Sequence, residues 1–380
     1  MLRGCEFMRV LYLTNLRAPY RMLFFEKLGK LCDLTVLIER ETAYDRDINW
    51  FEQDNINTFK IISMKGIHIS NDSAFNPSVL RWLSKRKFDI IVVGGYSSLT
   101  EILAILYMRL RRISFVLSVD GGFAEKDEHI LKRKLKQLLV SSACHWLASG
   151  RGAGDFLEFY GADCKKTFIY PFASVEDKDI LKEPLSVPEK ENYKRLLGLD
   201  GRLLVLSIGR FIPCKGFEIL LDAWGRLTHE NCTLAIIGGG PLKTQYLNSI
   251  KNSQIKNTII LDFMKKEELL TWYRSADVFV LPTHKDIWGL VVNEAMAQGL
   301  PVISTNSCLA ALELVRNGEN GYIVDTGDVK ALTICMEQLI NDGVLRKNMS
   351  ACALKTIIPY TIENMVHSHI QAFNIIAGSR

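Results

Sequence analysis

The sequence predicts an α/β protein made of two doubly wound, Rossmann-like parallel-sheet domains in tandem. Three observations carry that expectation. At 380 residues the chain exceeds what one ordinary core holds, so two domains are expected. Short apolar runs rich in β-branched residues alternate with longer stretches of helical period, the pattern of parallel strands with crossover helices. These runs form two series, separated by a charged stretch from Ala173 to Leu199 that contains Pro184 and Pro188.

In the first series, strands are expected at 9–15 (RVLYLTN), 33–39, 59–64, 89–95 (DIIVVGG), 114–120 (SFVLSVD), 145–149 and 167–172, with helices such as 20–31 and 99–111 between them. In the second they fall at 203–209 (LLVLSIG), 233–239 (TLAIIGG), 258–263, 278–282, 301–305 and 321–325. The domains read as 1–172, a linker at 173–199, a second domain at 200–358, and a C-terminal helix in 359–380. Two such domains would place a ligand cleft between the C-terminal ends of their strands.

Composition narrows the class. Hydrophobic residues make up 48% and charged residues 23%, as in a soluble globular enzyme and unlike a disordered chain. The opening MLRGCEF lacks the apolar core of a secretory signal, and Met8 is an alternative start that would leave out residues 1–7. No apolar run reaches the roughly 18 residues of a membrane span. Nine scattered cysteines without a CxxC pair suit buried thiols in a reducing compartment, so a cytoplasmic location without disulfides is expected. Seven histidines lack metal-ligand spacing, and Asp45-Arg46-Asp47 is a DxD in a polar segment; no metal and no cofactor are expected.

The formal charge of +5 is uneven: 25 basic against 19 acidic residues in 1–173, and 22 against 23 in the remainder. Part of that excess lies in HILKRKLKQLLV, where Lys132, Arg133, Lys134 and Lys136 accompany Ile130, Leu131, Leu135 and Leu138. Such a helix either lies on an anionic membrane surface or is a solvated face packed on its apolar side. No aromatic residues interleave the basic runs, which argues against nucleic acid.

Chemistry concentrates in the second domain. In LLVLSIGRFIPCKGF a buried strand ends at Gly209, and Arg210 and Lys215 follow, placed either to clamp a diphosphate or as a basic loop with solvated ends. In TLAIIGGGPLKTQ the glycines 238–240, Gly239 at their centre, close a strand before a helix, either as a phosphate-contacting loop or as a tight turn. In LPTHKDIWGLVVNEAMAQGLPVIST the loop carries Asp286, Gly289 frees the backbone, and a helix begins near Leu290. Its first amides, at Leu290 and Val291, would face an anion with the helix dipole behind them. Glu294 lies one turn further, about 6 Å along the axis, an offset suited to both hydroxyls of a ribose. Asp286 falls on the opposite side of those phosphates, where a sugar would sit.

Together, GRFIPCKGFEILLDAW, IIGGGPL and DIWGLVVNEAMAQGLPVI resemble, in order and spacing, the motifs of the retaining glycosyltransferases of family 4, which have the GT-B fold. The resemblance covers most of residues 200–330. It implies Arg210 and Lys215 on the diphosphate, Glu294 on the ribose, Asp286 on the donor sugar, and Met264 in the base-contacting loop. The donor would be a nucleoside-diphosphate sugar, expected to be UDP-linked, used as a co-substrate without metal. Two departures stand out: Asp286 replaces the usual Glu, and Asp262 stands where the family often has Gly.

By the same resemblance the N-terminal domain binds the acceptor, through TNLRAPYR with Asn15 and Tyr20 and through SVDGGFAEKDE with Asp120 and Gly121; an ordinary turn remains the alternative for the second. Asp120 falls where many relatives carry a histidine near the reacting carbon, so Asp120, Asp286, Arg210 and Lys215 form the implied catalytic set. The implied acceptor is a saccharide or polyprenyl-diphosphate-linked saccharide, met at the inner face of the cell membrane by a peripheral enzyme of surface-polysaccharide assembly. The C-terminal helix is implied to cross back to the N-terminal domain. Two rivals are a sugar-nucleotide epimerase of the same architecture and a non-catalytic nucleotide-sugar-binding subunit.

Overall fold

A computed structural model describes residues 7–42, 58–70, 73–125, 127–227 and 230–378. The chain divides into two units, residues 1–172 with 362–380, and residues 173–361.

In the first unit β1 (Arg9–Leu16), β2 (Asp33–Arg40) and β3 (Lys60–Ser63) are followed by a short antiparallel pair, β4 (Ile67–Ser70) and β5 (Ser73–Phe75). Then come β6 (Ile90–Val93), β7 (Val116–Val119), β8 (His145–Ala148) and β9 (Thr167–Ile169). The main sheet is parallel in the order β3-β2-β1-β6-β7-β8-β9. Val10 to Leu13 and Ile90 to Val93 are buried throughout, because helices cover both faces. Helices α1 (Pro19–Leu28), α2 (Leu99–Leu110), α3 (Ile130–Val140) and α4 (Arg151–Phe159) supply that cover. Ser98 and Glu101 form a capping box that starts α2, whose Ala104, Ile105 and Met108 pack on Leu11, Val93 and Leu117. The β4–β5 pair was not among the expected strands. Its three- and four-residue segments are too short to show a period, and Ile67 and Ile69 are exposed.

The second unit contains α5 (Val187–Leu196), β10 (Leu203–Ile208), α6 (Phe217–Gly225), β11 (Cys232–Ile237), α7 (Lys243–Asn252), β12 (Thr258–Leu261) and α8 (Lys266–Ser275). It continues with β13 (Val278–Leu281), α9 (Leu290–Ala297), β14 (Val302–Thr305), α10 (Leu309–Leu314), β15 (Gly321–Val324), α11 (Val329–Asn341) and α12 (Gly343–Ile357). Its sheet is parallel, in the order β12-β11-β10-β13-β14-β15. Val205, Ile236, Val280 and Ile303 pack against Phe217, Leu220, Trp224, Met336 and Leu339. Both units are therefore doubly wound, as the alternating pattern predicts.

Residues 173–199, expected as a linker, are instead part of the second unit. Two of the four lysines in this stretch converge on one buried carboxylate. Lys194 Nζ lies 2.9 Å and Lys190 Nζ 3.4 Å from Asp277, which also accepts from Leu204 N at 2.9 Å. Lys190 further donates to Ala276 O at 2.8 Å, so α5 is anchored beside the start of β13. At the other end of the chain, Ile362–Gly378 forms α13 and groups with the first unit. Ile362, Met365, Val366, His369, Phe373 and Ile376 make its buried stripe, and Glu363 pairs with Lys27 of α1 at 2.8 Å.

Candidate functional site: the strand ends of the second sheet

From β10 the chain winds to β11 and β12 on one side and to β13, β14 and β15 on the other. The carboxyl ends of β10 and β13 therefore flank a topological switch point, the place where open α/β sheets hold ligands. The loops after β10, β11, β12 and β13 carry Arg210 and Lys215, Gly239, Met264, and Asp286 with Gly289 respectively, and α9, which follows β13, carries Leu290, Val291 and Glu294.

Backbone bonds lock these loops together. Phe211 N donates to Gly239 O at 2.7 Å, and Leu242 N to Phe211 O at 3.1 Å. The approach is close enough that a Cβ on Gly238 would stand 1.9 Å from Gly209 O, so only glycine fits. On the other side Cys214 O accepts from Thr283 Oγ1 at 2.6 Å and from His284 N at 2.8 Å. His284 Nε2 meets Glu218 of α6 at 2.5 Å. These ties bring the Lys215 ammonium onto the Asp286 carboxylate as a hydrogen-bonded ion pair, with side chains 13% and 15% exposed.

Asp286 is held again from β14. Its N–H donates to Ser307 O at 2.8 Å, Ala310 N donates to Trp288 O at 2.9 Å, and the Cys308 thiol donates to Trp288 O at 3.0 Å. Burial, with the Asp286 charge adding, pushes the Cys308 thiol up to about 12, so it remains a neutral donor. Gly289, the residue before α9, has φ +98°, and a Cβ there would stand 2.8 Å from Cys308 Sγ. Glycine thus lets the chain turn sharply into α9, whose first amides, at Leu290 and Val291, have no intrahelical acceptor.

Glu294 is half-buried on α9, with one hydroxyl on each carboxylate oxygen. Ser174 Oγ donates to Oε1 at 2.8 Å, and Tyr273 OH of α8 donates to Oε2 at 2.9 Å. Burial raises the carboxyl above its usual range; the two hydroxyls and Lys266 oppose that rise, and Asp179 adds to it. Burial and the Glu294 charge lift the Tyr273 phenol well above its ordinary value, so it stays protonated and donates. Ser174, Tyr273 and Cys308 carry no sequence signal of this role, since each depends on a partner far along the chain.

In the first unit, Asp120 and Gly121 follow β7, Asn15 lies near the end of β1, and Tyr20 opens α1. Asp120 is ion-paired with the buried Arg21, its Oδ1 accepts from Tyr170 OH at 3.4 Å, and its carbonyl accepts from Ser149 Oγ at 2.7 Å. Tyr20 packs edge-on against Phe172 with ring centroids 5.7 Å apart. On α3, Lys136 and Lys132 pair with Glu128 at 2.6 and 3.2 Å, and Arg133 lies over the Phe159 ring at 4.7 Å. Ile130, Leu131 and Leu135 of the same helix are exposed. Asp45 and Asp47 lie outside the described residues. Among the described residues no helix is long and apolar enough to cross a membrane.

Residues 189–356, which include Arg210, Lys215, Asp286 and Glu294, match the family model described as glycosyl transferases group 1. CapM, the capsular polysaccharide biosynthesis glycosyltransferase of Staphylococcus aureus, is 32% identical over 166 residues, which is 42% of this chain and 42% of that one. The D-inositol 3-phosphate glycosyltransferase of Xylanimonas cellulosilytica is 24% identical over 332 residues, 86% of this chain and 72% of the relative. The chain spans half or less of the first three curated relatives that it matches, at 42%, 46% and 50% of their lengths. Among solved structures, HepE of Anabaena in complex with UDP aligns with a TM-score of 0.77 at 14% identity, over 97% of this chain and 100% of the other. The fold class is GT-B, two parallel-sheet α/β domains.

Proposed function

We propose that this chain, whose residues 189–356 match the model of the group 1 glycosyl transferases, moves a sugar from a UDP-linked donor to a hydroxyl acceptor with retention at the anomeric carbon. One observation carries the donor half of this reading. The Lys215–Asp286 ion pair, the start of α9 and the half-buried Glu294 carboxylate lie along the switch-point edge. They suit a diphosphate at the tip of α9, its ribose at Glu294 and the sugar toward Asp286.

In the reaction the bond from the anomeric carbon to the β-phosphate oxygen breaks, and a bond to the acceptor oxygen forms on the same face. The acceptor's proton passes to the leaving phosphate oxygen. Arg210, Lys215 and the amides of Leu290 and Val291 stabilise the charge that grows on the diphosphate, and no metal is required. Asp286, paired with Lys215, accepts a hydrogen bond from a hydroxyl of the donor sugar and does not act as a nucleophile. In the first unit, Asp120, Gly121, Asn15 and Tyr20 face the acceptor. The relative named for capsular polysaccharide biosynthesis supports a saccharide acceptor, which we read as lipid-linked. The exposed Ile130, Leu131 and Leu135 beside Lys134 suit peripheral contact with an anionic membrane surface.

The test is nucleotide release from UDP-, GDP- and ADP-sugars, with and without a polyprenyl-diphosphate sugar, read together with the anomeric configuration of the product. Release of UDP that rises with acceptor and yields a retained linkage is expected, with turnover lost in Asp286→Ala and Glu294→Ala. Epimerised donor without transfer, or full turnover in both variants, overturns the reading.

A further inference from the structure

The two hydroxyls on Glu294 have a use beyond burying a carboxylate. Ser174 and Tyr273 belong to different segments, 120 and 21 residues away from Glu294, and each takes one of its oxygens. A carboxylate oxygen has about two acceptor positions, so each one retains a position for a further donor. With both oxygens held, the plane of the carboxylate is set, and the remaining acceptor positions point in set directions. Two vicinal hydroxyls of a ribose need two acceptors held in that manner. A single hydroxyl or a backbone amide does not.

We infer that Ser174 and Tyr273 are positioning residues that orient the Glu294 carboxylate for both ribose hydroxyls, and so make the site selective for ribonucleotides. This rests on the reading that Glu294 binds the donor ribose. Tyr273 suits the task because its ring is buried, 4% exposed, and packed against Phe279 of β13 with centroids 5.9 Å apart, so its phenol oxygen is carried by a fixed ring. Ser174 approaches from the segment that opens the second unit, independently of α8. Both hydroxyls also favour the ionised carboxyl, as does Lys266, whereas burial and Asp179 oppose ionisation. Loss of either hydroxyl therefore moves the protonation of Glu294 to higher pH.

The experiment titrates the full chain with UDP and with 2′,3′-dideoxy-UDP, across pH 4.5–8 in steps of about half a unit, a span that brackets ordinary carboxylate titration and its upward shift. The proteins are the parent, Ser174→Ala, Tyr273→Phe and Glu294→Gln. The parent is expected to prefer UDP. Each hydroxyl deletion should reduce that preference about two- to tenfold, a partial loss because the carboxylate is left less well oriented but still present, and leave affinity for the dideoxy nucleotide unchanged. In both variants the acidic limb of UDP binding should also move to higher pH. Equal loss of affinity for both nucleotides would mean a merely structural role and would overturn the inference. So would an unchanged preference in both deletions while Glu294→Gln loses it, a result that leaves the ribose reading intact. If Glu294→Gln itself keeps the preference, the underlying reading fails and the inference fails with it.

Discussion

Replacing Lys215 by Met probes stability and catalysis at one position. Its ammonium is bonded to Asp286, and the two side chains are 13% and 15% exposed. Removing one partner of a fully buried pair costs about 3–5 kcal/mol, and an exposed pair is worth about 0–1 kcal/mol. At this intermediate burial Lys215→Met should cost about 2 kcal/mol, because Asp286 keeps its charge and loses the cation beside it. Asp286→Asn removes that stranded charge, so the double variant should recover about 1 kcal/mol relative to additivity. Urea unfolding followed by tryptophan fluorescence reads this, since Trp224, Trp272 and Trp288 all lie in the second unit. On the proposed reading, Lys215→Met also removes a cation from the departing diphosphate and should lower kcat by about 10²–10³-fold in nucleotide release. Strictly additive stabilities would refute the ion pair as described. A kcat within threefold of the parent, by order of magnitude far short of the effect expected for a leaving-group contact, would refute its role in catalysis.

Two further outcomes follow from the geometry. Gly289→Ala should cost about 2 kcal/mol through left-handed strain alone, and more through a Cβ 2.8 Å from Cys308 Sγ; Gly289→Ala/Cys308→Ala should relieve the second part in thermal unfolding, and on the proposed donor reading both variants should bind UDP more weakly than the parent. His369 of α13 is buried, and burial pushes it down from 6.5 to about 4. Its folded-state value is depressed, so the unfolded chain takes up the proton first as pH falls from 6.5 to 4, and the first unit should lose about 3 kcal/mol over that window. A His369→Gln variant should flatten this slope, and an unchanged slope would place the acid sensitivity elsewhere.

Much of the fold could be read directly from sequence, because a strand buried on both faces is a nearly continuous apolar run. LLVLSI, CTLAII and VFVL show that pattern without any knowledge of their neighbours. The loops of the candidate site are legible for a similar reason: each sits immediately after such a strand, and Gly289 followed by an eight-residue helix is a local feature. What the sequence could not disclose is which charges and hydroxyls share an oxygen. Lys215 meets Asp286 across 71 residues, Ser174 meets Glu294 across 120, and Arg21 meets Asp120 across 99. The charged stretch 173–199 likewise has the composition of a linker, and nothing local in it shows that Lys190 and Lys194 meet Asp277. Strand order decides these meetings. Crossover connections make β10 the neighbour of β13 and bring their loops together, whereas composition and spacing register only what lies within a few residues along the chain. The sequence by itself determined the strands of the two main sheets and the edge on which the candidate site sits; the tertiary structure decided which partner holds each carboxylate there, because those partners are neighbours only once the sheet is assembled.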